Sequence, residues 1–150
     1  MDRPDLRRFT LAGLLCAALV ASAGAPAAVP SEVQRALLER DYGRAASLLE
    51  PLATAADPDA QYELARLYEQ GRGVPEDPVH ALRLLEAAAA RGHAPATFLA
   101  ATMLEKGRGA DVDPAGARRL YERAAAAGYL PARRRLEASV AEMSATPRLS

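Results

Sequence analysis

Two consecutive stretches of the chain repeat one another. They are AQYELARLYEQGRGVPEDPVHALRLLEAAAARGHAP at residues 60–95 and ATFLAATMLEKGRGADVDPAGARRLYERAAAAGYLP at residues 96–131, and they align without a gap. At this offset of 36 residues the Gly-Arg-Gly at 71–73 falls on the one at 107–109. A fixed period of about 20–50 residues is the signature of a repeat protein, in which each copy is one structural unit. The chain is therefore predicted to be an array of such units.

Each copy is predicted to form two helices joined by a glycine-containing loop. The Asp-Pro pair at 77–78, and its equivalent at 113–114, places an N-cap carboxylate before a proline at the first helical position. Apolar residues recur at a spacing that puts them on one face of each helix. In the first copy these residues are Ala60, Leu64, Leu67 and Tyr68 for one helix and Ala81, Leu84, Leu85, Ala88 and Ala89 for the other. Because one hairpin cannot bury such a face alone, neighbouring copies are expected to stack.

Partial copies flank the two full ones. Residues 31–59 are predicted to be a half-repeat that opens with a capping box at residues 31–34 (SEVQ). Residues 132–143 are predicted to be a first helix without its partner, and residues 144–150 are predicted to fray. Ala, the best helix former, supplies 36 of the 150 residues, and Trp is absent. The sequence therefore predicts an all-α chain of about seven helices.

The first copy carries a characteristic set of small and apolar residues, namely Ala60, Leu64, Tyr68, Gly71, Gly73, Val74, Asp77, Ala81, Ala88, Ala89 and Gly92. This set resembles the Sel1-like repeat, a relative of the tetratricopeptide repeat with a longer loop between its helices. The resemblance covers residues 31–143, with full repeats at 60–95 and 96–131. It implies a short right-handed α-solenoid of helical hairpins.

The N-terminal residues have the composition of a secretory signal peptide. Three arginines precede an apolar run at residues 9–21, and small residues in A-x-A spacing follow it. We expect residues 1–28 to be removed, with cleavage near residue 23 or 27. The alternative is an uncleaved membrane anchor, but the apolar run is shorter than the roughly 20 residues that span a bilayer. The protein is therefore expected in the periplasm, without a stable membrane span.

The residues offer little material for catalysis or for binding a cofactor. Lys+Arg and Asp+Glu are equal at 19 each, which argues against a general nucleic-acid binder. Removal of Cys16 leaves no thiol, and His80 and His93 have no cysteine or acidic cluster at metal-ligand spacing. No Ser-x-x-Lys motif is present, so a hydrolase of the β-lactamase type is a remote alternative. The chain is predicted to be no enzyme and to hold no cofactor or metal.

The first helix of each unit lines the concave side of a helical-hairpin solenoid, so its exposed positions form the candidate binding groove. The resemblance to the Sel1-like repeat implies groove positions at Tyr62, Arg66, Glu69, Gln70, Phe98, Thr102, Glu105, Lys106 and Arg134. Tyr62 and Phe98 fall at the edge of the core, where each ring either stacks on a bound segment or packs under the next helix. The basic run at 133–135 is either a solvated face or a docking spot for an anionic group.

Together these features predict a non-catalytic scaffold or adaptor of the bacterial cell envelope. Its partner is expected to be a segment of another envelope protein, bound in the groove. The alternative is a binder of cell-wall fragments such as peptidoglycan, or of another small envelope ligand.

Overall fold

The protein is all-helical over residues 29–145, the part of the chain that its computed structural model describes. The seven helices are α1 (Ser31–Leu38), α2 (Tyr42–Thr54), α3 (Pro58–Gln70), α4 (Pro78–Ala90), α5 (Ala94–Lys106), α6 (Pro114–Ala126) and α7 (Leu130–Ala145). The prediction of an all-α repeat fold is confirmed. The predicted signal peptide at 1–28, and residues 146–150 of the predicted tail, lie outside the described residues.

The helices form a linear array, since each packs mainly against the helix before it and the helix after it. Two hairpins, α3–α4 and α5–α6, arise from the two full copies. The pair α1–α2 flanks them on one side and α7 on the other. Helix α7 runs to Ala145, two residues beyond the end predicted for it.

Aspartate carboxylates begin four of the helices. The side chains of Asp41, Asp57, Asp77 and Asp113 accept hydrogen bonds from backbone N–H groups in the first turns of α2, α3, α4 and α6. Helices α3, α4 and α6 also have proline in their first turn. Both features satisfy or remove N–H groups that have no partner inside the helix, which is why the Asp-Pro pairs mark helix starts.

Helix α1 begins differently from the prediction. Its N-cap residue is Pro30, and no side chain caps it. The predicted capping box at residues 31–34 is therefore wrong, because Ser31 already lies inside the helix and its hydroxyl is not at the capping position. Gln34 instead donates from its side-chain amide to the carbonyl of Val29, at 3.0 Å.

Helix α5 is capped by a histidine. The Nδ1 atom of His93 accepts from the backbone N–H of Ala96 at 3.0 Å, so this nitrogen carries no proton in the capped structure. The other ring nitrogen, Nε2, lies 2.9 Å from an Asp59 carboxylate oxygen on α3. One imidazole therefore caps a helix of the second repeat and binds a helix of the first.

Alanine fills the space between the helices. Eight alanines of α2 to α5 are buried at 0% exposure: Ala45, Ala60, Ala65, Ala81, Ala88, Ala96, Ala100 and Ala101. Larger side chains such as Leu49, Leu85 and Met103 complete the core, whereas the predicted core residues Tyr68 and Leu84 are only partly buried. Because Ala ends at Cβ, the helix backbones approach closely, and dense contact of this kind stabilises the interior.

The Gly-Arg-Gly loops lie directly on the start of the second helix in the preceding unit. At Gly73 φ is +70°, and an added Cβ would lie 2.3 Å from the carbonyl carbon of Tyr42. At Gly109 φ is +80°, and an added Cβ would lie 2.3 Å from the carbonyl oxygen of Pro78. Neither position has room for a side chain, so glycine is required there for close backbone approach as well as for its conformation.

We expect Gly73→Ala to lower the free energy of unfolding by about 3 kcal/mol or more, and Gly92→Ala by only about 1–2 kcal/mol. Both residues have positive φ, but nothing lies within 4 Å of a Cβ added at Gly92. Urea unfolding followed by far-UV circular dichroism measures both losses. Equal losses would show that backbone conformation, and not close approach, is what requires glycine in the loop.

Candidate partner-binding face

The nine predicted groove residues lie on α3, α5 and α7, and we call the surface they form the groove face. Three of them, Gln70, Lys106 and Arg134, are exposed. The other six are partly buried: Tyr62, Arg66, Glu69, Phe98, Thr102 and Glu105. The structure gives the contacts of each side chain within the chain, and their part in binding stays a prediction.

The two aromatic residues of the groove face pack on rings that lie just before the next first helix of the array. The Tyr62 ring lies 5.0 Å from the His93 ring, and the Phe98 ring lies 5.4 Å from that of Tyr129, measured between centroids. His93 and Tyr129 are 36 residues apart, so the same contact occurs at successive junctions. Burial raises the pKa of the Tyr62 hydroxyl. Each ring therefore lies at the edge of the core, with one side partly open to solvent.

Arg66 is held over the Tyr62 ring by a neighbour on its own helix. Its guanidinium carbon lies 5.7 Å from the ring centroid, and its Nη1 atom lies 3.2 Å from a carboxylate oxygen of Glu63. An arginine over an aromatic face is attracted by the ring electrons. The position of Arg66 on the groove face is therefore fixed by one ring and one carboxylate.

Glu69 is paired with an arginine of the next unit that the sequence analysis did not select. Arg108 Nη1 lies 3.0 Å from a Glu69 carboxylate oxygen, and its Nη2 lies 2.7 Å from Glu76. The same Nη2 donates to the Glu69 backbone carbonyl at 3.0 Å. A signal was present in the sequence, because an arginine stands between the two glycines in both copies. This arginine joins the second repeat to the first.

Thr102 and Glu105 belong to a polar cluster with α6 and α7. The Tyr121 hydroxyl donates to a Glu105 carboxylate oxygen at 2.8 Å and lies 3.2 Å from the Thr102 hydroxyl. Arg135 of α7 also binds Glu105. Tyr121 and Arg135 were not predicted as site residues, because these contacts depend on how α6 and α7 stack on α5.

The same contacts shift the pKa values of the cluster. Burial raises the pKa of the Glu105 carboxyl, but the hydrogen bonds from Tyr121 and Arg135 outweigh burial and leave that pKa below its ordinary value. Burial, together with the bond to Glu105, raises the pKa of the Tyr121 hydroxyl. Glu105 is therefore a carboxylate and Tyr121 a neutral donor at neutral pH, which is the combination that their hydrogen bond needs.

This cluster adjoins a cavity of about 230 Å³ at the end face formed by α6 and α7. Besides Glu105, four polar side chains line the cavity: Arg118, Tyr121, Arg135 and Ser139. One period earlier, the equivalent positions are apolar and pack in the core: Leu82, Leu85, Leu99 and Met103. The surface that stacks between repeats is therefore replaced at this end by a polar one.

A second cavity, of about 180 Å³, lies between α1 and α3 beside the groove face. Its lining residues are Leu37, Tyr42, Glu63, Arg66, Leu67, Gln70 and Arg72. The guanidinium of Arg72 lies over the Tyr42 ring, 5.4 Å from the centroid. This end of the groove face thus combines leucine walls with two arginines.

The histidines of the chain serve packing. His93 caps α5, and the His80 ring meets the Tyr68 ring edge-on with centroids 4.6 Å apart. Over residues 29–145 no three His, Cys, Asp or Glu side chains are grouped so as to hold a metal ion. Within the same range, no helix has the length and apolar character needed to cross a membrane.

The family model described as Sel1 repeat matches residues 58–93 and 94–129. The chain contains two Sel1 repeats, and the predicted resemblance is confirmed. The matched units have the predicted period of 36 residues and begin two residues earlier than the copies at 60–95 and 96–131. Sel1 repeats generally mediate protein–protein interaction. Comparison with the curated proteins gives no match.

Two crystal structures are similar to the chain. A Sel1 repeat protein from Oxalobacter formigenes shares 34% identity at a TM-score of 0.60, over 61% of this chain and 27% of that one. A protective antigen present in uropathogenic Escherichia coli strains, which displays an SLR fold, shares 24% identity at a TM-score of 0.63, over 69% of this chain and 24% of that one. The second likeness concerns the fold alone. The chain spans about a quarter of the length of either structure.

We expect Glu105→Gln to reduce stability at neutral pH by about 1 kcal/mol, because it removes charge-assisted hydrogen bonds that are partly exposed to solvent. The folded-state pKa of Glu105 is lowered, so its contribution is complete above the ordinary carboxyl pKa. It is lost as pH falls through the lowered value.

The measurement is the difference in unfolding free energy between wild type and variant, taken by urea titration from neutral to acidic pH. The difference should shrink at acidic pH. Glu122→Gln is the matched control, since its pair with Arg118 is about half exposed on both sides. A Glu105→Gln difference that stays constant with pH would contradict the assignment.

Proposed function

We propose that this chain of two Sel1 repeats is a non-catalytic adaptor of the bacterial cell envelope, and that it binds a segment of a partner protein on the groove face. Two findings support the general role: Sel1 repeats generally mediate protein–protein interaction, and they are generally non-catalytic modules. The envelope location rests on the signal-like sequence at residues 1–28.

One observation supports the groove face as the binding surface. Successive helices of this face expose the polar residues Gln70, Lys106 and Arg134, while intramolecular contacts hold the partly buried residues beside them. Arg66 is fixed over Tyr62, and Thr102 is fixed by Tyr121. A surface whose side chains are already ordered loses less conformational entropy when a partner binds. The groove face is therefore preorganised for recognition.

The partly buried aromatic residues are poor positions for testing this proposal. Tyr62 contacts His93, and Phe98 contacts Tyr121 and Tyr129, so truncating either ring would also loosen the packing of the helices. The exposed residues Gln70, Lys106 and Arg134 avoid this difficulty, because they take no part in these ring contacts.

The test is site-specific photo-cross-linking in the bacterial envelope. A photoreactive amino acid replaces Gln70, Lys106 or Arg134 in the exported full chain. Matched controls carry it at Arg44 and Arg83, which are exposed on α2 and α4, outside the groove face. We expect a discrete protein adduct from the groove positions and none from the controls.

Equal adducts from both sets, or none from either, would contradict a partner on the groove face. A chain that gives no protein adduct but is retained on purified peptidoglycan would favour the cell-wall ligand. Detection of the adducts after cell fractionation also tests the envelope location, since adducts confined to the cytoplasm would exclude it.

A further inference from the structure

The carboxylates of the two helices at the centre of the groove face are all engaged within the chain. On α3, Asp59 meets His93 at 2.9 Å, Glu63 meets Arg66 at 3.2 Å, and Glu69 meets Arg108 at 3.0 Å. On α5, Glu105 binds Tyr121 and Arg135. The carboxylates of these helices are thus already in contact with cationic or hydrogen-bonding side chains of the chain itself.

Two cations of the same face are not balanced in this way. Lys106 and Arg134 are exposed, and neither has a carboxylate oxygen within 4.0 Å among the residues that the structure describes. Arg72 at the α1–α3 cavity lies over the Tyr42 ring, and its charge is likewise not matched by an ion pair there. Among the described residues, the groove face therefore presents two exposed cations without an ion pair, although the whole chain has a formal net charge of zero.

The carboxylates of α7 nearest to Arg134 and Lys106 do not form ion pairs with these two cations. Glu137 occupies the position that Ala101 and Ala65 hold one and two periods earlier, and those alanines are buried in the core clusters. In the two full repeats this position therefore faces the core and not the groove face. Glu142, at the position equivalent to Lys106, already interacts within the chain.

We propose that the partner segment is acidic, with Asp or Glu side chains that bind Lys106 and Arg134 together. This inference rests on the proposed function and adds the chemistry of the partner. Charge complementarity of this kind selects partners and speeds their association, because the two exposed cations attract an acidic segment and repel a basic one.

The spacing of the two cations suits a short extended segment. Phe98 is the α5 residue equivalent to Arg134, and Lys106 follows it by eight residues, or about 12 Å along a helix axis. Helices α5 and α7 are joined by the ion pair between Glu105 and Arg135, and at the usual spacing of about 10 Å between packed helices the two side-chain positions are roughly 16 Å apart. About five extended residues cover that distance. The partly buried Phe98 ring lies next to this path and accommodates an apolar residue of the segment.

The first test uses a labelled polyglutamate peptide of about ten residues, long enough to span both cations when extended. Fluorescence anisotropy measures its binding to the mature chain at low ionic strength. We expect the wild-type chain to bind polyglutamate and not to bind polylysine of the same length. Its affinity for polyglutamate should fall as ionic strength rises to about 0.15 M. The double variant Lys106→Glu with Arg134→Glu should weaken binding about tenfold or more.

The matched control is Arg44→Glu with Arg83→Glu, which changes the net charge by the same amount on α2 and α4. It should bind polyglutamate as wild type does. Equal weakening in the two double variants would overturn the inference, because overall charge and not the groove face would then govern binding. Absence of polyglutamate binding, or equal binding of polylysine, would overturn it as well.

The second test separates this inference from the proposed function. Mass spectrometry of the adduct formed at position 106 identifies the cross-linked segment of the partner. An acidic segment supports the inference, and a neutral or basic one overturns it while leaving the adaptor function in place. If no groove position gives an adduct, the adaptor function itself is contradicted, whatever the polyglutamate result.

Discussion

The stacking of the repeats depends on backbone lying against backbone where one unit meets the next. At Gly73 and Gly109 the loop of each full unit rests on the first residues of the preceding unit's second helix, with no room for a side chain. Alanines at 0% exposure bring the helices equally close in the core. Contacts this short fix the position of one unit relative to its neighbour, and every longer side chain at the junction is arranged around them.

Polar side chains then reinforce the junction from both sides. Arg108 binds Glu69 and Glu76 beside one glycine loop, while His93 caps α5 and binds Asp59 at the opposite end of the helices. These interactions engage Asp59 and Glu69 of α3, while Glu63 binds Arg66 on its own helix and Glu105 of α5 binds Tyr121 and Arg135. The positive charge of the groove face therefore follows from how the helices are packed. The carboxylates form contacts that stabilise the fold, whereas Lys106 and Arg134 remain exposed.

The period of 36 residues was sufficient to predict the helices, their order and most of their caps, because these depend on local sequence. Asp-Pro pairs act within one turn, and alanine rows act within one hairpin. Helix α1 was the exception: Pro30 rather than Ser31 occupies the capping position. The contacts of Glu105 with Tyr121 and Arg135 were beyond sequence reasoning, because they join residues 16 and 30 positions apart through the stacking of three helices. Whether the nine groove residues bind a partner is a question that neither periodicity nor packing answers.

The polar end face has a consequence for assembly in solution. Inner repeats bury leucines and a methionine at the positions where this face carries Arg118, Tyr121, Arg135 and Ser139. Had those apolar residues recurred here, the surface would favour stacking on a second molecule in the manner of an internal repeat. Head-to-tail contacts of that kind do not close on themselves and extend into open filaments. Two arginines and a serine thus oppose polymerisation at this face, where a leucine-rich surface would be most prone to it.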